Sequence, residues 1–230
     1  RKEAVLIDAG ISCRETEKRM SRLGIPISTV KAIFVSHEHG DHITGIPALS
    51  KKHRIPVYIT PSTYNSSRIP IEPELNIPFK SGETVQVGDL HITAFPKVHD
   101  ACDPHSFMVT DNTVKVGIFT DLGICCDQLK KYFRECHAAF LESNYCTDML
   151  EKGNYPFHLK KRISGGKGHL SNKQALDLFV QHRGNQLSHL ILSHLSKNNN
   201  TPELVAGIFN EVRKQTRITV ASRYHEMPLL

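Results

Sequence analysis

Short runs of apolar and β-branched residues alternate along the chain with stretches whose apolar positions recur at three- and four-residue intervals. The first pattern predicts strands over 4–8, 32–36, 56–60, 84–87, 91–95, 107–110, 115–119, 138–142, 189–193 and 219–221. The second predicts helices over 13–23, 42–53, 126–133, 172–182 and 202–214. Ser171 is placed to cap the fourth helix, and Thr201, followed by Pro202, the last. The proline-rich stretch 67–80 reads as an extended connection. Helices are distributed among the strands rather than gathered in one block, which predicts an α+β fold of two sheets flanked by helices.

With 230 residues the chain is one large domain or two cramped ones, and we expect a single domain over 1–230. The apolar share of 39% is enough for a real core, and no window approaches the ~18 uninterrupted apolar residues of a membrane span. The chain opens on Arg1 and enters the strand-like run AVLID within a few residues, so further strand is expected ahead of it. Cys13, Cys102, Cys125, Cys126, Cys136 and Cys146 form no CxxC pair and no secretory leader is visible, which predicts free, mostly buried thiols and a cytoplasmic location. No partner protein is evident. The formal charge of +6 is compatible with a phosphate-rich partner without requiring one.

The 14 histidines are the first sign of special chemistry. In IFVSHEHGDH an apolar strand delivers His37, His39, Asp41 and His42. His37 and His39 stand two apart on extended chain, so both rings can face one way, while Gly40 turns Asp41 and His42 toward a neighbouring point. Imidazole and carboxylate ligands without a thiolate suit Zn, Mn or Fe. A surface accident would not place three histidines and an aspartate within six residues of a buried strand.

HEHGDH resembles the HxHxDH signature of the metallo-β-lactamase superfamily of hydrolases. Asp8 in LIDAG resembles that family's early aspartate, which orients the metal site. His99, Asp121 in FTDLG and His194 in LILSHLS fall in the order of its later ligands. The segments VHDACDP, LESNY, YPFHLKKRISGGKGHLSN and ILSHLSKNNNTPE are together similar to the YycJ/WalJ group, nuclease-like members related to RNase Z and RNase J. The pattern differs at Tyr145, where that group has a histidine, and at His105, where it has a smaller residue.

The resemblance implies a four-layer αββα sandwich, two mixed β-sheets flanked by helices, and two divalent ions. His37, His39 and His99 would hold one, Asp41, His42 and His194 the other, with Asp121 bridging. It further implies a hydroxide held between the ions as nucleophile, and His169, in GHLSN, over the scissile phosphate as general acid or hydrogen-bond donor. Asp41, His169 and Asp8 are thus the catalytic candidates. The implied activity is phosphodiester hydrolysis in nucleic acid, DNA rather than RNA, with exonuclease action. The alternative is hydrolysis of a small thioester, lactone or cyclic nucleotide on the same metals. A third reading, a metal-stabilised binding module, would need only four closed ligands.

Lys160, Lys161, Arg162 and Lys167 precede His169 among three glycines. A charge run is usually a solvated face, but its closeness to His169 makes Lys160, Arg162 and Lys167 candidates for a nucleic-acid track. Asn144 is a further candidate for substrate contact, and the start of the helix at 172 for an anion. His105 is balanced between pocket and turn, Cys102 is read as a small buried thiol, and His225 as a surface residue.

Overall fold

A computed structural model describes residues 3–230. The strand expected ahead of residue 1 lies outside them. Backbone contacts divide the chain into two units. The first is Arg1–Pro96 with Ala101–Phe107 and Tyr224–Leu230; the second is Lys97–Asp100 with Met108–Arg223.

The first unit runs β1 (Ala4–Ile7), α1 (Cys13–Arg22), β2 (Val30–Phe34), α2 (Gly40–Ile43), α3 (Ile46–His53), β3 (Val57–Ile59), α4 (Pro61–Ser67) and β4 (Asn76–Pro78), then the hairpin β5 (Thr84–Val87) and β6 (Leu90–Pro96). Strands β1 to β4 form a sheet in chain order. All its pairings among the described residues are parallel, where a mixed sheet was expected. The cause is connectivity: a helix separates each strand from the next, and such crossovers return the chain in the same direction. Ile33, Val35, Ile46, Leu49, Val57 and Ile59 form the core of this unit.

Strand β7 (His105–Thr110) passes from the first unit into the second. There follow β8 (Lys115–Phe119), α5 (Asp127–Glu135), β9 (Ala138–Glu142), α6 (Thr147–Lys152), α7 (Phe157–Ser164), α8 (Asn172–His182), β10 (His189–Ser193), α9 (Pro202–Asn210) and β11 (Arg217–Val220). The larger sheet has the order β11-β10-β9-β8-β7-β6-β5, with β8, β9, β10 and β11 parallel. In the second unit Phe119 meets Phe133 edge-on at 5.8 Å, and Phe179 lies 5.7 Å from Phe209. These contacts bury α5 against β8 and α8 against α9.

Differences from expectation have local causes. β2 ends at Phe34 because the Ser36 N–H donates to the Asp8 side chain and not to a neighbouring strand. The helix expected over 42–53 breaks into α2 and α3, since Pro47 has no N–H for an intrahelical bond and the Gly45 N–H goes to the Ala9 carbonyl. β4 lies in the proline-rich stretch read as a connection. α4, α6 and α7 are short, and their patterns carry little apolar periodicity. Ser171 and Thr201 cap α8 and α9 as expected, Ser171 within a full capping box with Gln174.

All six cysteines are free, and Cys102 is exposed where a buried thiol was expected, because it lies in the loop before β7. Burial pushes the Cys136 thiol up to about 12 and Cys125 up to about 11. In native protein at pH 8, a disulfide reagent is expected to label Cys102 at least about tenfold faster than Cys136. Peptide-level mass spectrometry of the labelled protein checks this. No helix among the described residues is long and apolar enough to cross a membrane.

Candidate metal centre

The sequence-predicted residues sit at the carboxyl ends of strands. Asp8 follows β1, Asp121 follows β8 and His194 follows β10. All three adopt the left-handed backbone, with φ of 61°, 56° and 57°. An L-residue held there costs about 1–2 kcal/mol, and Asp and His tolerate it better than most. Backbone strain at three candidate site residues is the pattern of a site that folding must pay to hold open.

In the first unit the parts interlock. The Asp8 carboxylate accepts from the Ser36 N–H (2.7 Å), the Ser36 hydroxyl (2.7 Å) and His42 Nδ1–H (2.8 Å). The Ser36 proton is thereby committed, so its oxygen accepts from His37 Nδ1–H at 2.8 Å. His37 and His42 thus carry their proton on Nδ1 and keep the lone pair on Nε2. His37 Nε2 lies 3.0 Å from His39 Nδ1, and His42 Nε2 lies 3.7 Å from the largely exposed Asp41 carboxylate.

This crowding requires glycine. A Cβ on Gly10 would stand 1.5 Å from the Asp41 carbonyl oxygen, and one on Gly45 1.9 Å from that of Ile11. Gly10→Ala is therefore expected to destabilise the fold by about 3 kcal/mol and to displace Asp41 and His42. Urea unfolding checks the stability, and loss of metal affinity the displacement.

In the second unit Glu142 closes β9 with no solvent exposure. Its Oε1 accepts from His169 Nδ1–H (2.8 Å) and His194 Nδ1–H (2.9 Å), and its Oε2 from the N–H groups of Leu122 (2.8 Å) and Leu170 (3.1 Å). Burial alone would push this carboxyl up. The two imidazoles outweigh it and hold Glu142 below the usual carboxylate range.

His99 donates Nδ1–H to the Gly168 carbonyl at 3.0 Å, and burial lowers its pKa, keeping the ring neutral. Its Nε2 stands 3.7 Å from Asp121 Oδ1, and His194 Nε2 stands 3.4 Å from the same oxygen. Asp121, Glu142, His169 and His194 each offer an atom within 4.8 Å of the others. The His169 ring centroid is 5.3 Å from those of both His99 and His194.

The donor set fits divalent cations. In His37, His42, His99 and His194 one ring nitrogen gives its proton to an oxygen of the protein, leaving the other with a lone pair. Metal-ligating histidines are oriented in this way.

Of the basic candidates, Lys160 donates to the Glu151 carbonyl, and Arg162 Nε to Asp100 Oδ2 at 2.5 Å; Lys167 is exposed. Asn144 is buried and clamps the backbone of His194 through Nδ2, 2.7 Å from the His194 carbonyl. The α8 start has its Asn172 and Gln174 N–H groups taken by the Tyr145 carbonyl and the Ser171 hydroxyl, so it offers an anion less than its sequence suggested. His105 is buried, edge-on to Phe79 at 5.6 Å, and His225 is exposed.

Three residues were missed. Glu142 was legible as a lone carboxylate ending the apolar strand AAFLE. Ser36 stands directly before His37. Lys97, buried with its ammonium 4.0 Å from Asp121 Oδ2, carried no signal.

The chain matches the family model described as "Beta-lactamase superfamily domain" over residues 3–195. It is 32% identical to exodeoxyribonuclease YycJ of Bacillus anthracis, an alignment covering 96% of this chain and 84% of that protein. It is 29% identical to exodeoxyribonuclease WalJ of Streptococcus pneumoniae over 88% of this chain and 77% of the relative. The metallo-β-lactamase fold protein YhfI from Bacillus subtilis superposes with a TM-score of 0.75 at 17% identity, over 96% of this chain and 85% of YhfI.

Proposed function

Because the chain belongs to the metallo-β-lactamase superfamily, within the group of the YycJ and WalJ proteins, and is a metal-dependent hydrolase, we propose that it is a two-metal DNA exonuclease. The observation that carries this is the set of imidazoles whose Nδ1–H is held by an oxygen of the protein, which puts the lone pair on Nε2. The exodeoxyribonuclease relatives support DNA as the substrate. The family match, which runs through both units, supports their working as one hydrolase domain.

His37, His39 and His99 would hold one ion and Asp41, His42 and His194 the other, with Asp121 shared. Zn, Mn and Fe all suit these ligands. Two such ions would supply Lewis acidity and lower the pKa of water toward neutrality.

The protein's own groups do the rest. Asp8 holds His42 directly and His37 through Ser36. Glu142 accepts from His169 Nδ1–H and fixes the orientation of the ring. As a water oxygen bonds to phosphorus and the P–O bond to the leaving group breaks, His169 Nε2–H donates its proton to the departing alkoxide oxygen. Asn144 fixes the His194 backbone. Lys160, Arg162 and Lys167 would supply positive charge along the strand's path. The six free thiols suit a reducing compartment, the cytoplasm.

The test uses chelator-stripped protein with end-labelled DNA, RNA and a thioester, with and without added Zn or Mn. Metal-restored release of mononucleotides from DNA is the expected result. Hydrolysis of the thioester alone would favour the small-substrate reading and overturn the nuclease one.

A further inference from the structure

Helix α7 carries Phe157 on its first turn with the side chain 80% exposed. A phenylalanine left that open is unexplained by packing. Its helix holds His158, Lys160, Lys161 and Arg162 and no acidic residue. Lys161 follows Phe157 by four residues and is also exposed, so ring and ammonium share a face.

The other end of α7 is joined to the candidate centre. The His169 N–H donates to the Ile163 carbonyl at 2.8 Å, and Arg162 pairs with Asp100, which stands beside His99. A Cβ on Gly168 would lie 2.2 Å from the Ile163 carbonyl oxygen, so the loop runs directly against the helix end. Phe157 is six residues from Ile163, about 9 Å along the helix axis at ~1.5 Å per residue.

We propose that Phe157 is a stacking platform for a DNA base a few nucleotides away from the cleaved phosphodiester, with Lys161 meeting the adjoining phosphate. This rests on the nuclease reading. Aromatic stacking accepts any base, which suits an enzyme that processes a strand without sequence preference, and the cationic face complements the polyanion. The platform acts on strands long enough to reach it and not on the scissile bond.

The test compares wild-type, Phe157→Ala, Phe157→Leu and Phe157→Trp full-length proteins, metal-loaded, on end-labelled oligothymidylates of two, four and eight nucleotides. Phe157→Ala is expected to raise KM about tenfold on the octamer, with the loss growing from dimer to octamer and kcat little changed. Phe157→Trp restores the octamer KM and Phe157→Leu does not. A loss equal at all lengths, wild-type behaviour of Phe157→Ala, or rescue by Phe157→Leu would overturn the platform while leaving the nuclease reading intact. A wild-type protein that cleaves none of the oligomers would overturn both.

Discussion

Phosphodiester turnover is expected to fall about a thousandfold in His169→Ala while both metal ions stay bound. Like His194, His169 has its Nδ1 committed to Glu142, but in the proposed assignment it carries no ion on Nε2. Removing it takes away the leaving-group proton but none of the seven proposed ligands. Single-turnover rates with metal analysis of the same samples check this. A substrate with an activated leaving group, such as a nitrophenyl phosphodiester, should lose far less, because its leaving oxygen needs no proton. Loss of metal along with activity would make His169 a ligand instead.

Glu142→Gln is expected to destabilise the metal-free protein by about 3 kcal/mol and to reduce activity in the metal-loaded protein as well. The carboxylate is fully buried and faces donors on both oxygens: two imidazole N–H groups on one, two backbone N–H groups on the other. An amide in either orientation turns its own N–H bonds toward one of those pairs. Urea unfolding of apo protein isolates the fold from the metals.

The pH dependence has a definite sign. Folded Glu142 sits below its ordinary value, so its contribution is complete above the unfolded carboxylate range near ~4.3 and is lost as the pH falls through the folded value. Apo wild type should therefore weaken on acidification below about pH 4 more steeply than Glu142→Gln.

Much of the candidate site was legible because its residues crowd into one short stretch of chain. The run from His37 to His42 needs only the alternation of a strand and the turn at Gly40 to bring its imidazole and carboxylate side chains together. Asp8, His99, Asp121 and His194 were reachable only through resemblance, since no local pattern tells one strand-end aspartate from another. Their positive φ angles are set by the surrounding structure and leave no mark on composition.

Glu142 was passed over because a glutamate after AAFL reads as the solvent-facing end of a strand. Its burial follows from four donors brought in by distant segments. Among the elements, α8 was predicted to the residue because apolar period and capping box agree. The short α4, α6 and α7 depend on what they pack against, and the parallel course of the smaller sheet was fixed by the helices between its strands.

The proposed reaction depends on paired ions. Metal stoichiometry, measured by plasma mass spectrometry on purified protein equilibrated with Zn or Mn and freed of unbound ion, should give two per chain, with a loss in His194→Ala. Retention of no ion, or of two ions by His194→Ala as tightly as by wild type, would contradict it.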